Sequence, residues 1–455
     1  INPTTQFQQL LTFCFAKLIW NSKEKEEKSM KKRFLALALS MSMALLACGG
    51  QKASTETTAA ESKTESSAAK EMAEKSKAVG SADFDALVAE AKGQTVNFYG
   101  WGGDDRLNQW LDGYYAEYLK KNYDITLNRV PMGIEDILAQ LSAEKEAGAQ
   151  ESDIDMIWIN GENFKTAKES DFLYGPFTQN LPNFNNLVNQ KDPETNKDFA
   201  YPIEGYEAPY GKAQMVFYGD KSKGDFPKST EELLAYAKEH PGQITYPALP
   251  DFTGSAFVRN VIYDIVGVEP FQTVKEDKEA VRELVKPAMD YLKELNPYLW
   301  KEGKTYPEKE PTMRNMVADG ELIMGMTYSA YLVSNSIADG SFSNNMQTYI
   351  WDKGTIGNTN YIAISKNAKH NAAAQVAINA MLSEDVQLNR YETLKTIPVL
   401  DNSKLSKEVQ EKFAKVDLGE GVLEQSVLLD KRLPEMPAGL VPIIEEIWQE
   451  EVAGK

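Results

Sequence analysis

The sequence predicts an α/β fold divided into two lobes. Strand and helix patterns alternate from Thr95 onward, and each connection between the first three strands is long enough to hold a helix. Residues 82–455 also exceed the roughly 250–300 at which a single core stops growing.

"TVNFYGW", Thr95 to Trp101, reads as a strand that stops at Gly102-Gly103. Asp104 and Asp105 open a helix in which Leu107, Trp110, Leu111, Tyr114, Tyr115, Tyr118 and Leu119 recur at helical spacing. "DITLNRVP" is the second strand, and "IEDILAQLSAEKEAG" a helix closed by Gly148. "DIDMIWINGENF" begins as a buried strand and ends on Asn160, Gly161, Glu162 and Asn163. The order β-α-β-α-β implies a parallel sheet with right-handed crossovers. Ligands of such sheets lie beyond the carboxyl ends of the strands. Trp101-Gly102-Gly103 and Asn160 to Asn163 occupy two such ends, and the glycines there would let backbone approach a ligand.

Further along, "TEELLAYAKEHPG" is a helix with a Thr cap and a Pro-Gly stop. "QITYPALPDFTGSAFVRNVIYDIVG" gives a strand, a loop and a helix that buries Phe257, Val258, Val261, Ile262, Ile265 and Val266 and ends at Gly267. Thr253-Gly254-Ser255 then sits at a helix N-terminus, whose free N–H groups attract an electron-rich atom; plain N-capping explains the same residues. "GELIMGMTYSA" is a buried strand with a polar end, and "TNYIAISKNAKHNAAAQVAINAMLS" a strand, a turn and an Ala-rich helix.

The chain before this region reads differently. Lys31, Lys32 and Arg33 precede an apolar stretch from Phe34 to Leu46, and Ala47 is followed by Cys48. Residues 30–47 have the layout of a secretory signal and are too short to span a bilayer as a helix. Leu45-Leu46-Ala47-Cys48 resembles the lipobox of bacterial lipoproteins, which implies a Cys48 carrying acyl chains such as palmitate. Residues 1–29 are expected to be an untranslated upstream segment, with "KEKEEKSM" reflecting a purine-rich ribosome-binding site before the Met30 codon. The stretch 48–81 is the lipidated Cys and a flexible tether, because Ser, Thr, Ala, Lys and Glu cannot bury enough apolar surface to offset ordering. Of the two cysteines, Cys14 lies upstream, so the mature chain is expected to have neither a disulfide nor a Cys-type metal site. The formal net charge of −18 argues against nucleic acid and anionic surfaces as partners.

The lipobox, "FYGWGG", "IDMIWINGENF", "YEAPYGKAQMVFY" and "GELIMGMTY" together resemble bacterial ABC-transporter solute-binding proteins. "WINGENF", "LYGPF" and "YPALPDFTGSAFVRN" resemble the YnjB-like subgroup, which carries the label of a thiamine-uptake binding protein. The resemblance implies a type II periplasmic-binding-protein fold with a hinge and an interlobe cleft. It also implies an ABC permease and its ATPase as partners, a small-molecule solute, and a lipid-anchored monomer on the extracytoplasmic face of the membrane. The expected division is 82–209 plus 323–372 for lobe 1 and 210–322 plus 373–455 for lobe 2. "YEAPYGKAQMVFY" would be one crossing, and "PTMRNMVADGELIMG" would lead back.

In such a cleft Asn160, Glu162 and Asn163 would meet the solute, with Trp101 and Tyr210 as flat surfaces and Gly102 and Gly103 beside them. Thr253, Gly254 and Ser255 would face them, joined by Thr327, Tyr328 and Ser329. Trp351 and Asn358 to Asn360 are weaker candidates, and Trp158 reads as core. Turn formation accounts equally well for the two Asn, and a salt bridge for Glu162. No Lys or Arg lies in "WGGDD", "INGEN" or "TGSAF", so a cationic, flat solute is expected, its charge near Glu162 and over Trp101.

An enzyme is the rival class. The two His, His240 and His370, are far apart in sequence, and no HExxH, GxSxG, Walker or GxGxxG pattern occurs. Paired carboxylates, as in a glycoside hydrolase, are the one chemistry the composition allows, though 67 Asp plus Glu make chance pairs common. A surface adhesin is the third class. The expectation is a non-enzymatic protein without cofactor or metal.

Overall fold

A computed structural model describes residues 81–454. The upstream segment 1–29, the leader 30–47, Cys48 and the tether lie outside the described residues, except that Ser81 already opens the helix Ser81–Ala91.

The strands are β1 Thr95–Gly100, β2 Thr126–Pro131, β3 Met156–Ile159, β4 Leu173–Tyr174, β5 Lys197–Asp198 and β6 Tyr201–Pro202. They continue with β7 Glu207–Gln214, β8 Val216–Asp220, β9 Met324–Thr327, β10 Met346–Tyr349, β11 Thr355–Ser365 and β12 Arg432–Leu433. In the larger sheet β2, β1 and β3 are parallel, Tyr99 standing beside Val130 and Ile157. β11 runs antiparallel to β3, and β7 antiparallel to β11. A smaller sheet has the order β10-β8-β9, all antiparallel.

Both faces of the larger sheet are covered, so its strands read as nearly continuous apolar runs. Val96, Phe98, Met156, Ile362 and Ile364 pack to one side with Ala372 to Ala374 and Val376 to Leu382. Tyr99, Ile157, Ile159, Tyr361 and Ala363 pack to the other with Ile137 and Phe164. The smaller sheet anchors a second core around Phe217, Phe257, Trp351 and Trp448. The result is two lobes, each a sheet with helices. The first helix after β1 is not uniform: Asp105–Trp110 runs through a π-helical turn, Leu111–Tyr115, into Ala116–Tyr123.

Two parts of the expected division differ. "GELIMG" does not lead back to the first lobe, because β9 pairs with β8 in the second sheet. A buried apolar strand fits either sheet, and only its partner decides. The return occurs between β10 and β11. Likewise the helix Asn371–Met381 belongs with the first lobe rather than the second. It is buried on every side from Ala372 to Met381, wedged between the sheet and the helix Ser81–Ala91. The helix Glu384–Leu394 follows it, Trp110 donating from Nε1 to Asn389 Oδ1 at 2.8 Å.

The chain therefore crosses between sheets on two adjacent antiparallel strands. β7 passes into β8 through Met215 alone, and β11 returns beside β7 with a register shift at Asn360/Tyr361. Arg432 holds this pair together. Its Nη1 donates to Ala213 O at 2.6 Å and its Nη2 to Asn358 O at 2.8 Å, while Nε reaches Glu194 Oε1 at 3.0 Å. Burial alone would raise the Glu194 carboxyl, but Arg432 and Lys212 hold it down to about 2. A Cβ on Gly357 would lie 2.2 Å from Arg432 Nη1, so glycine is what admits the arginine.

Candidate functional site

β3 ends where the helix Gly161–Glu169 begins. Gly161 has φ 63°, a region L-residues resist, and turns the chain sharply enough for its N–H to donate to Asp198 Oδ2. Glu162 follows on the first helical turn. Its Oε1 accepts from Asn163 Nδ2 at 3.1 Å. The residue is only partly covered, but Oε2 is sealed from solvent and has no hydrogen-bond partner among the described residues.

From the second lobe comes the helix Phe252–Val266. Ser255 Oγ donates to Glu445 Oε1 at 2.6 Å and accepts from Arg259 Nη1. Arg259, 1% exposed, forms an ion pair with Glu435 Oε2 at 3.3 Å that lacks hydrogen-bond geometry. Among the described residues Nε of Arg259 thus has no partner, and Nη2 and Glu435 Oε2 meet only in this ion pair. Tyr328 donates its hydroxyl to Glu435 Oε1. A buried polar group without a partner costs about 1–3 kcal/mol, more if charged.

Between these groups stands Phe199. It occupies the two-residue turn of the β5–β6 hairpin at φ 42°, with Ala200 at φ 62°. Neither residue favours that region, and such positions cost of order 1–3 kcal/mol each. The turn places the Phe199 ring 5.8 Å from the Arg259 guanidinium and 6.4 Å from Phe252, which in turn lies 5.0 Å from Tyr328. Ala438 N donates to Phe199 O at 2.8 Å, so the two lobes touch here.

Three carboxyls, Glu435, Glu162 and Glu445, act on one guanidinium, and Asp198 lies behind Glu162. Burial raises Glu162 to about 7, opposed by Arg259 and assisted by Glu445 and Glu435. Burial also raises Asp198 well above the carboxylate range, and Glu435 and Glu445 more modestly. Burial works against the charge of Arg259, but Glu435, Tyr328, Glu162 and Glu445 more than compensate and hold it protonated. The cluster is rich in acceptors for a positive group.

Of the sequence-based candidates, Glu162, Ser255 and Tyr328 come together in this cluster, with Asn163 at its edge. Trp101, Asn160 and Tyr210 form a second group. Trp101 is 49% exposed and stands edge-on to Trp158 at 6.1 Å, and Trp158 in turn to Tyr210 at 6.0 Å. Asn360 Oδ1 joins Trp158 Nε1 at 3.2 Å and Asn160 Nδ2 at 3.4 Å.

Several candidates have other duties. Tyr210 is not an open surface: it is buried beneath Arg390, 4.4 Å from its ring, with its carbonyl taken by Gln387 and Arg390. Thr253 and Gly254 donate their N–H groups to Asp251 Oδ1, so Asp251 already occupies this helix N-terminus. A Cβ on Gly254 would lie 2.2 Å from Pro247 O, so this glycine serves packing. Gly102 lies against Pro131 and Gly103 against the Trp101 ring. Thr327 Oγ1 accepts from Ser329 N at 3.1 Å, Thr327 buried and Ser329 exposed. Trp351 is core. Trp158, read from sequence as core, is half-buried between Trp101 and Tyr210.

Arg259, Glu435, Glu445, Asp198 and Phe199 escape the sequence reading. Arg259 left a signal: it lies four residues after Ser255, next to Asn260 inside a mainly apolar helical stretch. The absence of basic residues from "TGSAF" holds only because that window stops at Phe257. Asp198, Phe199, Glu435 and Glu445 left none.

At another edge of the lobes Arg106 Nη2 donates to Asn335 O at 2.8 Å and to Asp339 Oδ2 at 2.6 Å. A surface groove of about 650 Å³, lined by Arg106, Trp110, Tyr114 and Asn389, lies beside this contact.

Residues 113–415 match the family described as bacterial extracellular solute-binding protein. Protein YnjB of Escherichia coli is 34% identical over 316 residues, 69% of this chain and 81% of that protein. The chain is a bacterial extracellular solute-binding protein. Solved relatives share its fold. An ABC transporter from Clostridium perfringens superposes with a TM-score of 0.54 at 22% identity, over 78% of this chain and 99% of that one. The periplasmic binding protein AfuA of Actinobacillus pleuropneumoniae, with fructose-6-phosphate bound, gives 0.55 at 13%, over 79% and 98%. The spermidine/putrescine substrate-binding protein PotD of Streptococcus pneumoniae gives 0.52 at 14%, over 78% and 99%. A solute-binding protein of this family holds a small molecule between its lobes for an ABC importer, is extracytoplasmic and is not an enzyme.

Proposed function

We propose that this solute-binding protein captures a small cationic solute at the Glu162–Arg259–Glu435 cluster and delivers it to an ABC permease. The carrying observation is the excess of carboxyls over guanidinium in a water-poor place contributed by both lobes, with Glu162 Oε2 unpartnered among the described residues. A cationic group there would satisfy the oxygen that no donor among the described residues reaches. Trp101, half-exposed at the end of β1, offers a face for a flat ring. Thiamine combines both features, and the YnjB-like subgroup label points the same way. The Asp251 cap removes the helix N-terminus as a seat for a phosphate. Cys48 would bear the lipid that tethers the protein to the membrane.

Calorimetry with thiamine and spermidine, on wild type and Glu162→Gln, tests the reading. Wild type should bind the cation, and the variant should lose about tenfold or more, one charge-assisted contact being worth about 1.5–3 kcal/mol. Equal affinity in the two proteins, or a preference for a neutral sugar, would remove Glu162 from the site.

A further inference from the structure

Arg259 is hard to explain as a counter-ion alone. Its contact with Glu435 at 3.3 Å lacks hydrogen-bond geometry, and the other Glu435 oxygen is engaged by Tyr328. Nη1 is satisfied by Ser255 Oγ. The two donors left over, Nε and Nη2, share one edge of the guanidinium. That edge receives a carboxylate or phosphate through two parallel hydrogen bonds. Phe199 lies 5.8 Å from the guanidinium and leaves those donors without a hydrogen bond. Against them stand two sealed acceptors: Glu435 Oε2, which meets Nη2 only in that ion pair, and Glu162 Oε2, which has no hydrogen-bond partner among the described residues.

A solute carrying only positive charge answers the acceptors but leaves Arg259 Nε buried without a partner and Nη2 with only its ion pair to Glu435. A solute carrying only negative charge answers Arg259 and confronts Glu162, Asp198, Glu435 and Glu445. One carrying both charges answers both sides of the cluster. We propose that the solute is amphoteric, its cationic nitrogen against Glu162 and an anionic oxygen pair against the Nε–Nη2 edge of Arg259. This rests on the reading of the cluster as the solute site, and it narrows the substrate class from cations to molecules that pair an amine or ring nitrogen with a carboxylate or phosphate. Arg259, contributed by the second lobe, then determines specificity, while Glu162 from the first lobe supplies attraction. A solute spanning the two would hold the lobes together.

Two matched pairs of probes test it by calorimetry at physiological salt: thiamine against thiamine phosphate, and 1,4-diaminobutane against 4-aminobutanoate. Within a pair that binds, the amphoteric member should bind wild type at least about tenfold more tightly, the scale of one bidentate charge-assisted contact. Arg259→Gln should erase that ratio and retain the purely cationic member, and Arg259→Lys, which keeps the charge but not the fork, should restore it only in part. Glu162→Gln should weaken both members of a pair alike. The wild-type comparison needs no variant and so survives a misfolded one. If the purely cationic member binds as tightly as its partner, the inference falls and the cation reading stands. If Arg259→Gln weakens both members equally, Arg259 is structural and the inference falls. If wild type binds none of the four, both readings fall.

Discussion

Replacing Glu162 with Gln should stabilise the protein in mild alkali and leave its stability in acid unchanged. Burial raises this carboxyl from 4.5 to about 7, so between those values the folded chain holds a proton that the unfolded chain has lost. Stability associated with the group is whole below pH 4.5, declines as pH rises through about 7, and is then constant. At about 1.36 kcal/mol per pH unit the loss amounts to about 3 kcal/mol at its upper limit. Gln cannot ionise and escapes the loss. Glu207 and Glu310 are also raised by burial, but Glu162 does not act on them and they cancel in the comparison; Asp198 is raised partly by Glu162, so the variant relieves it in the same direction. Urea denaturation followed by Trp fluorescence, without solute, near pH 4 and near pH 8, reads the difference directly. The variant should gain up to about 3 kcal/mol on wild type between the two conditions. A relative stability that does not change with pH would show that Glu162 ionises as an exposed carboxyl does, and the sealed cluster would be refuted.

Other outcomes follow from the same geometry. A cationic probe must displace the Glu162 proton at low pH, so affinity should fall by up to about tenfold per unit below pH 7 in calorimetry, and Glu162→Gln should flatten that profile. Arg106→Ala removes an exposed ion pair and one hydrogen bond between the lobes, and should weaken solute affinity by no more than about fivefold; a hundredfold loss would make this contact part of the binding site. Cys48→Ser should move the protein from the membrane fraction to the soluble fraction, and full retention on membranes would dismiss the lipid anchor. A bound probe should make the protein more compact in small-angle scattering and raise its denaturation midpoint; tight binding without compaction would contradict closure of the cleft.

The strands and helices from Thr95 to Gly161 are legible because period-two and period-3.6 patterns are local. The helix Phe252–Val266 is legible for the same reason, down to Gly267 at its C-terminus. What the pattern does not carry is partnership. β9 satisfies the criteria for a strand of either sheet, and the Ala-rich helix Asn371–Met381 gives no sign of which lobe buries it. At the site, Glu162 and Tyr328 stand out as polar residues at strand ends, the place where open sheets bind ligands. Thr253 and Gly254 share that kind of position but are spent on the Asp251 cap, a choice made by side-chain geometry. Phe199 reaches Arg259 only through a strained hairpin turn that no residue preference announces.

Because β7 and β11 run side by side with bonded backbones, and Arg432 pins both to Glu194, the joint between the lobes has few ways to bend. If the lobes close as hinged domains do around a ligand, they would turn about this pair. On the proposed reading, a solute spanning Glu162 and Arg259 would set the angle between the lobes, and a longer one would hold them wider. That angle would then carry the length of the solute to the outside of the protein, where a permease could read it as a shape.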